Sequence, residues 1–190
     1  MYPKIALASA SPRRRQLLQQ LDVSFDVVTP DIDESILDNE SAAAYVSRLA
    51  LTKAQKGMQL LAGQLPVLGA DTSVVIDKHI LGKPIDKADF LQMMQQLSGR
   101  CHQVITAVAL VTPSQHWQTL VSTDVWFRHI STQEMSDYWQ SGEPTDKAGG
   151  YGIQGRAGKF VECIKGSYSA VVGLPLCETD LLLKQLQRST

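Results

Sequence analysis

An aspartate sits inside an apolar run. Pro66–Ile76 is apolar except for its centre, Gly69-Ala70-Asp71-Thr72-Ser73. A run of this kind reads as a buried strand. A carboxylate within it is costly unless it is paired, hydrogen-bonded or bound to metal. Any fold this chain adopts must therefore bring Asp71 a partner. Two readings stay open at this level. Asp71 is a structural carboxylate satisfied by backbone donors or an arginine, or it holds a metal and activates a water. Magnesium suits the second, because it takes one or two protein carboxylates and completes its shell with phosphate oxygens and water.

The surrounding pattern supplies the frame. Ile5–Ala10 reads as a short buried strand broken by Ser11-Pro12, and Arg13–Leu21 as a helix with Leu17, Leu18 and Leu21 on one face. Val23–Val28 reads as a strand and the acidic stretch Thr29–Asn39 as a loop. Ser41 is placed to cap a helix running to about Ala62, whose stripe Ala42, Tyr45, Val46 and Leu49 continues into Lys53. Asp77-Lys78 reads as a turn into a short strand, His79–Leu81. Asp86 caps a predicted helix with Phe90, Met93, Met94 and Leu97 at helical spacing, stopped by Ser98-Gly99. Cys101–Val111 and Trp117–Ile130 are β-rich, joined through Thr112–Gln115. Ser131 and Glu134 suit a capping box for a helix ending near Ser141-Gly142. A glycine-rich segment, Asp146–Gly158, precedes a last predicted helix, Leu176–Gln187. Strands and helices are mixed, so the class is α/β or mixed α+β. The 190 residues carry no repeat, low-complexity tract or obvious linker, which fits one domain or two lobes sharing a sheet.

Bulk properties narrow the function classes. A net charge of −1 gives no global sign of nucleic-acid binding. No apolar run approaches the roughly 20 residues that span a bilayer. The start, MYPKIALASASPRRR, lacks the layout of a signal peptide, since its apolar stretch is short and most basic residues follow it. Cys101, Cys163 and Cys177 are odd in number and far apart, so they read as reduced, mostly buried thiols. Together these features point to the cytoplasm.

Several segments besides Asp71 have the makings of a phosphate site. Ser9-Ala10-Ser11-Pro12-Arg13-Arg14-Arg15 joins a strand end to a helix start, where free N–H groups and guanidinium groups favour an anion. The same segment is also readable as a solvated basic turn. Lys53 lies on a stripe that lysines usually avoid, so it either snorkels out or reaches inward to a phosphate. Lys83, between Gly82 and Pro84, is a loop lysine suited to phosphate or merely to a surface turn. The closely spaced glycines of Asp146–Gly155 permit a ligand to approach the backbone, and Gln154 has an amide suited to a base edge. An ordinary glycine-rich loop has the same composition. Glu34, near Asp31, Asp33 and Asp38, is either a loop carboxylate that completes a metal site or plain surface. His79, His102, His116 and His129 lack metal-ligand spacing and read as structural or exposed.

Taken together, LASASPRRRQLL, LPVLGADTSVV, GKP, LSGRCHQVITAVAL, DKAGGYGIQG and GSYSAVVGLPLCET resemble the Maf family of nucleotide pyrophosphatases over nearly the whole chain. The resemblance implies a single domain over residues 1–190. It would have an elongated mixed sheet flanked by helices, and two lobes around a cleft, similar to the inosine triphosphate pyrophosphatase fold. It implies metal-dependent cleavage of a nucleoside triphosphate to the monophosphate and pyrophosphate, with Mg²⁺ or Mn²⁺. In family terms Ser9, Arg13, Arg14, Lys53 and Lys83 bind the triphosphate. Glu34 and Asp71 serve the metal, and Asp71 accepts the proton of the attacking water. Arg13, Thr72 and Gln154 resemble the branch acting on dTTP, UTP and modified pyrimidine nucleotides rather than the branch acting on 7-methyl-GTP. A homodimer is a family-level expectation. The competing class is a nucleotide-binding regulator of cell division without turnover.

Overall fold

The computed structural model describes residues 2–189. Among them seven strands form one mixed sheet flanked by helices. In chain order the elements are β1 (Ile5–Ala8), α1 (Pro12–Gln19), β2 (Phe25–Val28), α2 (Ala42–Leu60), β3 (Val67–Ile76), β4 (His79–Leu81), α3 (Lys87–Leu97), β5 (Cys101–Val111), β6 (His116–Phe127), α4 (Thr132–Gln140), β7 (Val161–Lys165), α5 (Tyr168–Val172) and α6 (Leu176–Ser189). The glycine-rich segment folds as three short 3₁₀ turns, Glu143–Asp146, Ala148–Gly150 and Arg156–Phe160. No helix among the described residues is long and apolar enough to cross a membrane.

Local chemistry explains most boundaries. Ser11, Ser41, Asp86 and Ser131 cap α1, α2, α3 and α4 by accepting backbone N–H bonds. Each such cap is worth about 1 kcal/mol. Ser131 and Glu134 form the full reciprocal box. Asp77 and Lys78 both have positive φ (49° and 68°), the geometry of a tight hairpin turn between β3 and β4. β6 ends at Phe127, short of the expected Ile130, where its pairing with β7 becomes irregular at Trp126/Phe127. β7 and α5 escaped the sequence reading. Each is five residues long, too short to display a period.

The two sheet faces are packed differently. Against α2 the contacts are small: Ala6, Ala8, Val67, Ala107 and Ala109 meet Val46, Ala50 and Ala54. The helix lies so close that Gly69 has no alternative. A methyl there would sit 2.7 Å from the Ala54 backbone nitrogen and closer still to the Ala50 carbonyl. The opposite face carries Ile5, Leu7, Leu18, Leu68, Leu110, Leu183 and Leu186 under α1 and α6. A third cluster, rich in aromatic rings, gathers Phe90, Phe127, Tyr138, Tyr151 and Phe160 around α3 and α4. His102 is buried there, 2.7 Å from the Tyr151 hydroxyl, and burial lowers its pKa to about 4.

The expectation of buried thiols is corrected, because Cys101, Cys163 and Cys177 are all exposed and unbridged. Strand alternation is the cause for Cys101: its neighbour His102 faces the core, so Cys101 faces out. Cys163 lies two strands away in line with it, since both pair with Trp126 on the strand between them.

Strand order places an opening in the sheet. The order is β2-β1-β3-β5-β6-β7, with β2, β1 and β3 parallel and the rest antiparallel. On one edge, β3 pairs with β1 through Val67–Gly69 and with β4 through Val74–Ile76. Between them Ala70–Ser73 has no strand on that side. The chain leaves β1 and β2 at this gap, and the space beyond the carboxyl ends of parallel strands is where ligands bind in open α/β sheets.

Candidate functional site

Asp71 occupies that gap. It is only 7% exposed. It shares the α2 side of β3 with Gly69, and Lys53 from α2 meets it at 2.6 Å from Nζ to Oδ1. The same ammonium lies 2.7 Å from Glu34 Oε1. The partner that a buried Asp71 requires is thus a lysine, which turns inward instead of snorkelling. Glu34 is delivered by the Thr29–Asn39 loop. Tyr45 tethers that loop by donating to the Glu34 carbonyl (2.9 Å), and Arg48 does so by donating to the Ser35 carbonyl (2.9 Å) and to Glu40. Burial pushes the Glu34 carboxyl up, but the hydrogen bond and charge of Lys53, with Lys83 and Arg14 beyond, more than offset it. The carboxyl is held below its ordinary range. Burial, with Asp71 and Glu34 nearby, pushes the Tyr45 hydroxyl up to about 12, so it stays a donor.

The fit of a divalent cation can be judged from these contacts. Two carboxylates already converge on one positive charge. No group of three or more His, Cys, Asp or Glu among the described residues forms a metal cage. A site of this composition has two protein oxygens to give and needs the rest from phosphate and water, which is how Mg²⁺ is commonly held.

The opposite wall is made by α1. Ser11 caps the helix, and Ser9, nearly buried, accepts from the Ser11 N–H at 3.1 Å. Arg14 points inward. Its Nε donates to the Gly173 carbonyl (2.8 Å) and Nη2 to Thr72 Oγ1 (3.2 Å). Burial lowers the Arg14 pKa, Asp71 raises it, Arg13 lowers it and Glu34 raises it, with a net lowering. Arg13 lies nearer solvent and reaches Asp146 at 3.3 Å. Arg15 is exposed and outside the cleft, as three consecutive helical positions require. Lys83 comes in on a loop tied to the glycine segment by the Gly149 N–H, which donates to the Gly82 carbonyl (2.9 Å). Gly149 has φ 65°, and a Cβ there would strike Val74 at 2.9 Å.

All nine residues singled out in the sequence, Ser9, Arg13, Arg14, Glu34, Lys53, Asp71, Thr72, Lys83 and Gln154, line one cleft of about 550 Å³. The cleft also includes Tyr45, together with Asp146 and Lys147, which open the glycine-rich segment but to which the sequence assigns no role of their own. Lys147 is held by Asp146 (2.5 Å) and by the Glu143 carbonyl (2.6 Å). Its adjacency to the glycine cluster was the available signal. Tyr45 gave none, because it matches the apolar stripe of α2.

The chain is similar to several known proteins. The profile of Maf-like proteins matches residues 4–186. A dTTP/UTP pyrophosphatase of Vibrio vulnificus (strain YJ016) is 54% identical over 182 residues, covering 96% of this chain and 98% of that protein. A dTTP/UTP pyrophosphatase of Pseudoalteromonas translucida (strain TAC 125) is 55% identical over 188 residues, covering 99% and 100%. Among solved structures, a HAM1 protein from Coxiella burnetii is similar at a TM-score of 0.46 and 20% identity, covering 65% of this chain and 72% of that one.

Proposed function

The chain belongs to the Maf family, and from that premise we propose that it hydrolyses nucleoside triphosphates, dTTP and UTP first among them, to the monophosphate and pyrophosphate. One observation carries the reading: Glu34 and Asp71 converge on Lys53 in a cleft ringed by Arg13, Arg14 and Lys83. Opposite charges gathered this way suit a polyanion that needs both cations for its phosphates and a carboxylate for its water.

In this reading the cleft is the seam between two lobes of one domain. Arg13, Arg14 and Lys83 neutralise the triphosphate, while Ser9 at the start of α1 adds a hydroxyl to the phosphate pocket. Asp71 Oδ1 is engaged by Lys53, which orients the carboxylate and leaves Oδ2 for a water. Asp71 takes a proton from that water as it attacks the α-phosphorus in line. The bond from the α-phosphorus to the bridging α–β oxygen breaks, and pyrophosphate departs against the same cations. Glu34 and Asp71 would hold a Mg²⁺ or Mn²⁺ ion, which when bound supplies charge neutralisation at the phosphate oxygens. Thr72 and Gln154 face the base. A cytoplasmic setting belongs to the same reading, supported by three free, exposed cysteines, and so does a homodimer.

The test is a panel of dTTP, UTP, CTP, GTP, ATP and 7-methyl-GTP with Mg²⁺ or Mn²⁺, with pyrophosphate assayed separately from orthophosphate. Pyrophosphate mainly from dTTP and UTP is the expected result. Preference for 7-methyl-GTP would overturn the substrate and keep the reaction. Orthophosphate as the direct product would mean a different bond is cut. No turnover would move the protein to the nucleotide-binding regulators.

A further inference from the structure

Thr72 belongs to a hydrogen-bond chain whose direction can be worked out by counting protons. Thr106 lies directly opposite Thr72 in the β3–β5 ladder and is fully buried. Its Oγ1 is 2.7 Å from the Ala170 carbonyl of α5, and that carbonyl has only lone pairs to offer. The single Thr106 hydroxyl proton is therefore committed to Ala170. Thr106 Oγ1 is also 3.0 Å from Thr72 Oγ1. With its proton spent, Thr106 accepts there and Thr72 donates. The guanidinium of Arg14, which has only donors, reaches Thr72 Oγ1 at 3.2 Å and takes up one of its lone pairs. Bonding to Cβ, Thr106 and Arg14 uses three of the four tetrahedral directions at Thr72 Oγ1. One lone pair remains on a half-buried side chain that lines the cleft.

We propose that Thr106 is a positioning residue that fixes Thr72 as an acceptor only, so that the cleft selects nucleobases presenting an imide N–H at this point. The proposal deepens the pyrimidine triphosphate reading and rests on it. An acceptor-only hydroxyl repels phosphate oxygens, so Thr72 is not part of the phosphate cradle despite its contact with Arg14. Thymine and uracil share an N3–H donor, whereas cytosine has a bare N3 acceptor at the same place. A freely rotating threonine hydroxyl would serve either base. Locking it through Thr106 and the Ala170 carbonyl removes that tolerance without any further contact to the base.

The experiment measures kcat/KM for UTP and CTP with the wild type, Thr106→Val and Thr106→Ser, with thermal unfolding recorded for each. Thr106→Val keeps the shape but releases the Thr72 proton to turn toward the cleft. The CTP-to-UTP ratio is expected to rise about tenfold, the scale of one hydrogen bond gained or lost. Thr106→Ser keeps the relay and is expected to keep the wild-type ratio. A Val variant that unfolds at the wild-type temperature and shows an unchanged ratio would overturn the proposal. So would a Ser variant that shifts the ratio as Val does. If Thr106→Val does not fold, the wild type decides alone with 3-methyl-UTP, which has lost the N3–H. Turnover equal to that of UTP would overturn the proposal, and loss of turnover supports it. Failure to hydrolyse any pyrimidine triphosphate would instead sink the functional reading, so the two failures are distinguishable.

Discussion

On the α2 side of β3 the cleft is held by whole charges: Asp71, Lys53 and Glu34 lie within 2.7 Å contacts of one another through a single ammonium. One residue later, on the other side of the strand, it is held by a string of dipoles that runs from Arg14 through Thr72 and Thr106 to the Ala170 carbonyl. Strand alternation delivers both from adjacent positions. Charges can take up and release protons, so the first side suits the chemistry. Oriented hydroxyls do not titrate in the working range, so the second suits recognition. The gap in the pairing of β3 is what opens both sides to one cleft.

The sharpest way to break this division is Asp71→Asn. Turnover is expected to fall by about 10²–10⁴-fold, the usual contribution of a general base. Its thermal midpoint should remain close to that of the wild type. Full activity in this variant would remove Asp71 from the mechanism. Lys53→Met comes next. It leaves two carboxylates facing each other without their shared cation, and an unpaired buried charge costs about 1–3 kcal/mol or more. Urea unfolding checks the stability. The acidic limb of the pH–rate profile should move to higher pH, because Lys53 is the main cause of the lowered Glu34 value. An unmoved limb would show that the ionic side does not set it.

Thr72→Val tests the other side. It should cost about tenfold in kcat/KM for UTP and much less for CTP, since only the imide donor loses its acceptor. Equal losses for both bases would assign Thr72 to general binding.

The smallest effect expected is on stability at low pH. The folded value of Glu34 lies below its ordinary 4.5, so its pairing contributes fully above that value. The contribution is lost as pH falls from 4.5 through the lowered value. The slope should be shallow, because the Glu34 side chain is 47% exposed. Lys53→Met should remove it. Through the same range the UTP-to-CTP ratio should fall only as cytosine N3 takes up a proton and so gains the N–H that Thr72 accepts, while the hydroxyls of the dipolar side keep their direction.

What the sequence revealed of this site follows from range. Ser41, Asp86 and Ser131 announce their helices because a cap acts within three residues. Asp71 announces itself because its surroundings in the chain are apolar. The pairing itself was not legible, since Lys53 and Asp71 meet only after α2 packs on β3; the chain carries only separate clues to it, Lys53 on the apolar stripe of its helix and Gly69 at the close approach. The relay behind Thr72 left none. Thr106 reads as one more β-branched residue in an apolar strand, and the Ala170 and Gly173 carbonyls are backbone atoms of α5 and the turn after it, which the periodicity never disclosed. The exposure of the thiols was not legible for a similar reason: which face of a strand or helix is covered is decided only by packing between elements distant in sequence.

The path of the chain through this site sets a schedule. Arg14 finds its acceptor at Gly173, and Thr106 finds its own at Ala170. As the polypeptide leaves the ribosome, the stretch from α1 to β3 emerges early with Glu34, Asp71, Arg13, Arg14 and Lys53, while α5 emerges near the end. Contacts so distant in sequence form late and slowly. A nascent chain that has not released α5 thus has its charges but no fixed direction for Thr72, and discrimination between bases is among the last properties the molecule acquires as it is made.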